Sequence, residues 1–213
     1  MSDALPAVHE QYQVATQQLA ADRLGLWVFL ASEAMLFGAV FFSLAVYHYI
    51  HPAAMHAATD QLDLSMGAVG TAVLLSSSTT MALAVKAAGE GRRWETLVAL
   101  IGTVVLGLAF EAIKVHDWFD EFGKGLYPPA GPPFPLPQPA ARLFFHLYFV
   151  STGLHAVHLA VGILLVAGLV IMQVSGRLTL PERMVTVEMV GLYWQFVDIV
   201  WIFLYPTLYL VSR

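Results

Sequence analysis

The chain has 213 residues, of which 58% are hydrophobic and 12% charged, with a net charge of -5 and no cysteine. Soluble domains carry about 25% charged residues, so this composition is typical of a protein that crosses a membrane several times. The absence of cysteine excludes disulfides, thiolate metal sites and iron–sulfur clusters, and no basic cluster indicates nucleic-acid binding.

Five apolar segments are long enough to cross a bilayer as helices. About 20 residues, at 1.5 Å each, match a hydrocarbon core roughly 30 Å thick. The sequence therefore predicts an all-α fold: a polar N-terminal segment of residues 1–22, then a five-helix transmembrane domain of residues 23–213. The predicted helices span residues 23–49, 64–88, 94–118, 141–175 and 183–211.

The distribution of basic residues predicts the orientation of these helices. With a cytoplasmic N-terminus, the first outer loop, residues 50–63, contains no Lys or Arg. Cytoplasmic loops carry an excess of such residues, so we expect a cytoplasmic N-terminus and a C-terminus on the outer side. The cytoplasmic side then collects six of the ten Lys and Arg, namely Arg23, Lys86, Arg92, Arg93, Arg177 and Arg183.

The first predicted helix carries Glu33 inside its apolar run. Glu33 follows Arg23 by ten residues, so it lies about 15 Å along the helix axis and near the membrane midplane. A charged side chain at that depth costs on the order of 2.5–3.5 kcal/mol. Glu33 is therefore a candidate for an intramembrane polar or proton network.

The second predicted helix contains a run of hydroxyl side chains, residues 76–80. Serine and threonine return hydrogen bonds to their own helix backbone, and their small size permits close helix contact. The run predicts that this helix packs against other protein rather than only against lipid.

The third predicted helix carries Glu111, Lys114 and Asp117 near its outer end. Each is three residues from the next, a spacing that permits a ladder of ion pairs on one helix face. Two interpretations remain open, a structural charge network and a polar route for protons.

The connection to the fourth helix, residues 127–139, holds seven of the eleven prolines. Such a segment cannot be a helix interior, and an extended polyproline-like path is expected. It is either a stiff spacer or a docking surface on the outer face.

The fourth predicted helix carries His155 and His158 on one face, a spacing that could begin a metal site. His146, however, lies nine residues before His155, about half a turn out of phase. The Glu-x-x-His pairs of di-iron bundles are also missing from the sequence. We therefore expect no metal here, and assign both histidines to polar packing or to contact with lipid headgroups or a partner helix.

The fifth predicted helix places Trp194, Asp198 and Trp201 on one face, at spacings of four and three residues. Asp198 is a second intramembrane carboxylate. It is expected either to accept hydrogen bonds from indole or amide donors of a neighbouring helix or to serve a proton network, and both roles remain open.

Several segments, in order along the chain, resemble subunit III of the haem–copper respiratory oxidases. They are the Ser-Glu pair at Glu33, the serine cluster of residues 74–78, Lys114-Val-His-Asp-Trp118, the Thr-Gly-x-His-x-x-His block of residues 152–158, and Tyr193-Trp-Gln-Phe-Val-Asp-Ile-Val-Trp201. In two places the sequence departs from the family pattern: Gln195 stands where His is usual, and Asp117 where Glu is usual. The five-helix length resembles the shorter bacterial members.

The resemblance implies a non-catalytic accessory subunit III of a bacterial terminal oxidase, whose complex reduces oxygen and pumps protons in aerobic electron transport. Such a subunit lies in the inner membrane, packs mainly beside subunit I with subunit II in the same complex, and stabilises the catalytic subunit. It binds phospholipid and supports proton uptake. It holds no cofactor of its own, and the haem and copper are expected in the partner subunits.

Residue roles follow from the resemblance as expectations. Candidates for the polar or proton network are Glu33, Asp198, Glu111, Lys114 and Asp117. Candidates for contact with lipid or a partner are His155, His158, Trp194, Gln195 and Trp201.

Two alternative functions stay open at this point. The first is an accessory subunit of a nitric oxide reductase, and the second is a metal-dependent membrane enzyme. The electron donor of an oxidase complex, cytochrome c or a quinol, is also open.

Overall fold

The computed structural model describes residues 15–127, 134–136, 139–181 and 183–210. Most of the proline-rich connection lies outside these ranges, so its extended path stays a prediction. The same holds for the division between a polar segment, residues 1–22, and a transmembrane domain, residues 23–213.

Every regular element in the described residues is a helix, and five of the six helices are long and apolar enough to cross a membrane. This confirms the prediction of an all-α protein with five transmembrane helices. The sixth, α2, is an eight-residue helix that was not predicted from the sequence. The helices are α1 Ala15–Ile50, α2 Pro52–Thr59, α3 Leu64–Gly89, α4 Arg93–Gly123, α5 Pro139–Val174 and α6 Met184–Tyr209.

The chain divides into two compact units, residues 1–36 and 37–213, and the boundary falls within α1. In the first unit the structure describes the N-terminal part of α1. In the second unit, α3 packs against α4 and α6, and α5 packs against the same two helices. These four helices therefore form a closed ring, and α2 packs against α5.

The ends of α3 are defined by local chemistry. Asp63 is its N-cap, and its Oδ1 accepts hydrogen bonds from the backbone N–H groups of Ser65 and Met66, at 2.9 and 3.2 Å. The Ser65 hydroxyl also donates to this oxygen, and these bonds hold the pKa of Asp63 below its usual range. After the helix, Gly91 has a φ of +70°, a conformation that favours glycine and reverses the chain into α4.

The centre of the ring is filled by Trp194 of α6, which is fully buried. Its ring lies against two glycines: a Cβ built on Gly107 of α4 would come within 2.8 Å of it, and one on Gly162 of α5 within 3.1 Å. Its indole N–H donates to the hydroxyl of Ser77 on α3, at 3.0 Å. One side chain therefore contacts the other three helices of the ring.

The hydroxyl run of α3 is divided between two uses. Ser76 and Thr79 return hydrogen bonds to carbonyls of their own helix. Ser77 is bonded to α6, and the hydroxyls of Thr80 and Thr103 lie 2.8 Å apart between α3 and α4. The prediction that this helix packs against protein is confirmed.

Candidate functional site

A buried polar cluster lies between α4, α5 and α6 and is centred on Lys114. Its ammonium donates to Asp117 Oδ2 at 2.6 Å and to the hydroxyls of Tyr148 and Tyr209, each at 2.9 Å. All three N–H donors of the ammonium are therefore used. The cluster joins three helices around one compensated charge.

The pairing of Lys114 with Asp117 was expected from their spacing, but the ladder does not extend to Glu111. No ion pair joins Glu111 to Lys114 within the described part of the chain, and Glu111 Oε1 is buried without a hydrogen-bond partner there. The reason is that Lys114 directs its third donor to α6 rather than back along α4.

The cluster also includes residues that the sequence did not predict, namely Tyr148, Tyr209 and Glu121. The Tyr209 hydroxyl lies 3.1 Å from Asp117 Oδ2, and the two tyrosine oxygens lie 3.1 Å apart. Glu121 is 1% exposed, and among the described residues neither of its carboxyl oxygens has a hydrogen-bond partner. No spacing within one helix indicates the two tyrosines, because their contacts with Lys114 join residues of three different helices.

His155 and His158 lie in different environments although they share a helix face. His155 is fully buried, with its ring 5.8 Å from that of Phe110 and 5.0 Å from that of Trp201. His158 is half-buried, and its Nδ1 lies 2.7 Å from the Leu154 carbonyl oxygen. His155 therefore lies among aromatic side chains in the interior, and the assignment of both histidines to polar packing or to lipid or partner contact stays a prediction.

The two tryptophans of α6 also point inward. Trp194 and Trp201 are 0% and 1% exposed within the chain, and their lipid or partner contact stays a prediction. Both donate to hydroxyls of α3, Trp201 to Thr71 Oγ1 at 3.0 Å.

Asp198 accepts no hydrogen bond from an indole or amide donor of a neighbouring helix in the described part of the chain. Its side chain is 2% exposed, and both carboxyl oxygens lack a hydrogen-bond partner in the ranges that the structure describes. Asp198 is thus a buried acid that has no ion pair with any described residue.

Gln195 is bonded to one residue by both ends of its amide. The Ser78 hydroxyl donates to Gln195 Oε1 at 2.8 Å, and Gln195 Nε2 donates to the Ser78 carbonyl oxygen at 3.1 Å. Gln195 therefore ties α6 to α3, and its half-buried position leaves lipid or partner contact as a prediction.

Glu33 lies on α1 within the first unit, so its role in a proton network stays a prediction. Among the described residues, no group of three or more His, Asp or Glu side chains is arranged to hold a metal ion.

These observations define the class of protein: a multi-pass, all-helical membrane protein whose interior polar side chains link its helices. The family model described as cytochrome c oxidase subunit III matches residues 8–213, and the chain belongs to this family.

Three relatives agree with this assignment. Probable quinol oxidase subunit 3 of Staphylococcus epidermidis is 28% identical over 197 residues, 92% of each chain. Cytochrome bo(3) ubiquinol oxidase subunit 3 of Pseudomonas aeruginosa is 29% identical over 189 residues, 88% of this chain and 84% of the relative. Heme-copper oxidase subunit I+III of Aeropyrum pernix is 27% identical over 218 residues, 99% of this chain but 25% of that longer protein.

The chain is accordingly an accessory subunit III of a haem–copper oxidase. The comparisons do not favour the nitric oxide reductase alternative.

Proposed function

We propose that this chain is the non-catalytic subunit that packs beside subunit I of its oxidase, with subunit II in the same complex, and stabilises the catalytic subunit. The observation that carries this proposal is the use made of the interior polar groups. Lys114, Trp194 and Gln195 each form hydrogen bonds from one helix to another. A ring joined in this way is a rigid surface for a partner.

The Aeropyrum relative supports subunit I as the main partner, because its name describes subunits I and III as one protein. A haem–copper centre belongs to the partner subunits in this proposal.

We also propose that the chain binds phospholipid. In three of the five spans only 28% of the most apolar window is buried inside the chain. Large apolar side chains such as Val157, Leu164 and Ile171 are more than 60% exposed. Lipid and partner helices together would cover these surfaces.

Support of proton uptake is assigned to Glu33, Glu111 and Asp198. Asp198 and Glu111 are supported by burial: both carboxyl oxygens of Asp198 and Oε1 of Glu111 are buried and accept no hydrogen bond from the described residues. Lys114 and Asp117 compensate each other, so for this pair the structural interpretation is the stronger one.

The proposed location is the bacterial inner membrane, with a cytoplasmic N-terminus. The excess of Lys and Arg in the segments that this orientation places inside supports it.

Affinity purification through a tag on this chain, from its native host, tests the proposal. We expect haem-containing subunits I and II to copurify and the preparation to reduce oxygen. Parallel assays with quinol, reduced cytochrome c and nitric oxide identify the donor and the reaction. The oxidase from a strain lacking this chain should lose activity sooner during turnover. Isolation of the chain without a haem protein would contradict the proposal.

A further inference from the structure

A groove of about 580 Å³ opens on the outside of the helix ring, where α3 ends and α4 begins. It lies entirely within the second unit. One end is at the turn between the two helices, and the other runs down between them into the apolar part of the spans. Its lining is Thr80, Leu83, Lys86, Ala87, Arg92, Trp94, Glu95, Val98, Ala99 and Gly102.

The upper end of the groove is cationic. Lys86 is exposed, and its ammonium has no hydrogen bond or ion pair to any residue that the structure describes. Arg92 is different, because it is bonded to Glu90 and Glu95. The neighbouring Arg93 brings this corner to three cations and two carboxylates. Both carboxylates are paired with Arg92, and of the two remaining cations only Lys86 lines the groove.

The position of Trp94 indicates the membrane boundary. Its side chain is 73% exposed at the start of α4. Tryptophans of membrane proteins are enriched at the headgroup level. Lys86 and Trp94 line the same groove, so the cationic end lies where phosphate groups of lipids are found.

Below this level the groove is lined mainly by apolar residues. Its lining includes Leu83, Val98 and Ala99. Gly102 contributes no side chain to the groove, and a Cβ built at this position would come no closer than 3.7 Å to another side chain, at Thr80 Cγ2. From Trp94 to Gly102 the groove descends eight residues of α4, about 12 Å. That depth accommodates a substantial part of an acyl chain.

We propose that this groove binds one anionic phospholipid, with its phosphate at Lys86 and one acyl chain along Val98, Ala99 and Gly102. The mouth of the groove is lined by one cation without an ion pair, Lys86, and it continues into an apolar slot. These two parts match the headgroup and the acyl chain of such a molecule. Basic pockets between transmembrane helices recognise anionic headgroups in this way. The inference rests on the proposed function, since it gives the phospholipid binding of this subunit a location and a headgroup preference.

Native mass spectrometry of the purified oxidase complex tests the site. The complex is exchanged into detergent with equal phosphatidylglycerol and phosphatidylcholine, and the lipids retained on this chain are counted. Lys86→Gln should lower retention of phosphatidylglycerol roughly fivefold, the effect of one basic residue near a membrane surface. Lys86→Arg should restore it. Gly102→Leu, which fills the slot, should remove the bound lipid whatever its headgroup.

Arg177→Gln is the matched control, because it removes one positive charge from the α5–α6 turn on the same side of the membrane. It should retain phosphatidylglycerol as the unmodified complex does. Equal retention of both lipids by the unmodified complex, or unchanged retention by Lys86→Gln, would overturn the proposal. So would a peptide of another subunit cross-linked to position 98 in place of lipid.

The two proposals fail in distinguishable ways. If subunits I and II copurify while the lipid count is insensitive to Lys86, the subunit assignment stands and the lipid site is refuted.

Discussion

The Nζ atom of Lys114 lies 2.6 Å from Oδ2 of Asp117, one turn further along α4, and the two residues are only 3% and 5% exposed. A charge pair so deeply enclosed is maintained by its hydrogen bonds rather than by water. Removal of one partner leaves the other charge buried and unpaired, and this costs more than the intact pair contributes to stability.

Replacement of Lys114 by Met should lower the free energy of unfolding by about 3–5 kcal/mol, because Asp117 is left buried without its cation. The double variant Lys114→Met, Asp117→Leu should recover most of this loss. Denaturant titration of the purified complex in mixed micelles measures both. Lys124→Met, which removes an exposed cation, should change stability by less than about 0.5 kcal/mol. If Lys114→Met alone were as stable as the double variant, the loss of the cation would not destabilise Asp117, and the prediction would be wrong.

Substitution of Gly107 by Ala should lower the free energy of unfolding by about 1–3 kcal/mol, the usual effect of overpacking. The added methyl group would lie 2.8 Å from Trp194 Cη2, and the indole ring has little room to move because it is fully buried and also contacts α3 and α5. Gly168→Ala is the matched control on α5, where a Cβ meets no atom within 4 Å. There the better helix propensity of Ala should stabilise by up to about 1 kcal/mol. Equal effects of the two substitutions on thermal unfolding would contradict this packing.

Stability of the first turn of α3 should depend on pH through Asp63. The folded-state pKa of Asp63 is lowered, mainly by the Ser65 hydroxyl, so the native state binds fewer protons than the unfolded chain. Its contribution is therefore present above the unfolded pKa of about 4 and is lost as the pH falls through the folded value.

Hydrogen exchange of the Ser65 and Met66 amides measures this cap. Protection should fall on acidification in the unmodified chain but not in Asp63→Asn, which keeps an acceptor that does not titrate. Asp63→Ala should lower protection at neutral pH, by the equivalent of about 1 kcal/mol. Identical pH profiles for the unmodified chain and Asp63→Asn would exclude Asp63 as the titrating group.

A double-mutant cycle on Gln195 and Ser78 should give a coupling energy of about 0.6 kcal/mol, the mean for interhelical polar contacts in a membrane, and no more than about 1.7 kcal/mol. The small value is expected because a serine freed from its partner returns its hydroxyl to the helix backbone. Gln195→Leu, Ser78→Ala and the double variant, compared by unfolding in detergent, provide the cycle. A coupling of zero would mean that the two reciprocal bonds do not link α6 to α3.

Glu33→Gln should leave the oxidase complex assembled and should slow proton uptake, since the amide keeps the size of the side chain but cannot exchange a proton. Copurification of the partner subunits and proton uptake in reconstituted vesicles measure the two effects. Asp22→Asn, an exposed acid on the same helix, should alter neither. Loss of assembly in Glu33→Gln would instead assign this acid a structural role.

The sequence was sufficient for features that depend on one helix at a time. The five spans follow from segment length, and the pairing of Lys114 with Asp117 follows from a three-residue spacing on one helix face. The short α2 was missed because eight residues are too few for an apolar segment to be distinguished from a loop.

Contacts between helices could not be predicted in the same way. Tyr148 and Tyr209 reach Lys114 because α5 and α6 turn those faces inward, and spacing within either helix does not specify which face meets which neighbour. The same limit applies to Trp201, because its spacing from Trp194 and Asp198 does not specify that its indole donates to Thr71 of α3.

The enclosure of Trp194 by Gly107, Gly162 and Ser77 has an evolutionary consequence. Gly107, Gly162 and Ser77 each contact Trp194, so a change of size at any of these positions acts on the same indole ring. In related chains a bulkier residue at position 107 or 162 should therefore occur together with a smaller one at position 194, so that the four sites drift as a covarying set rather than independently.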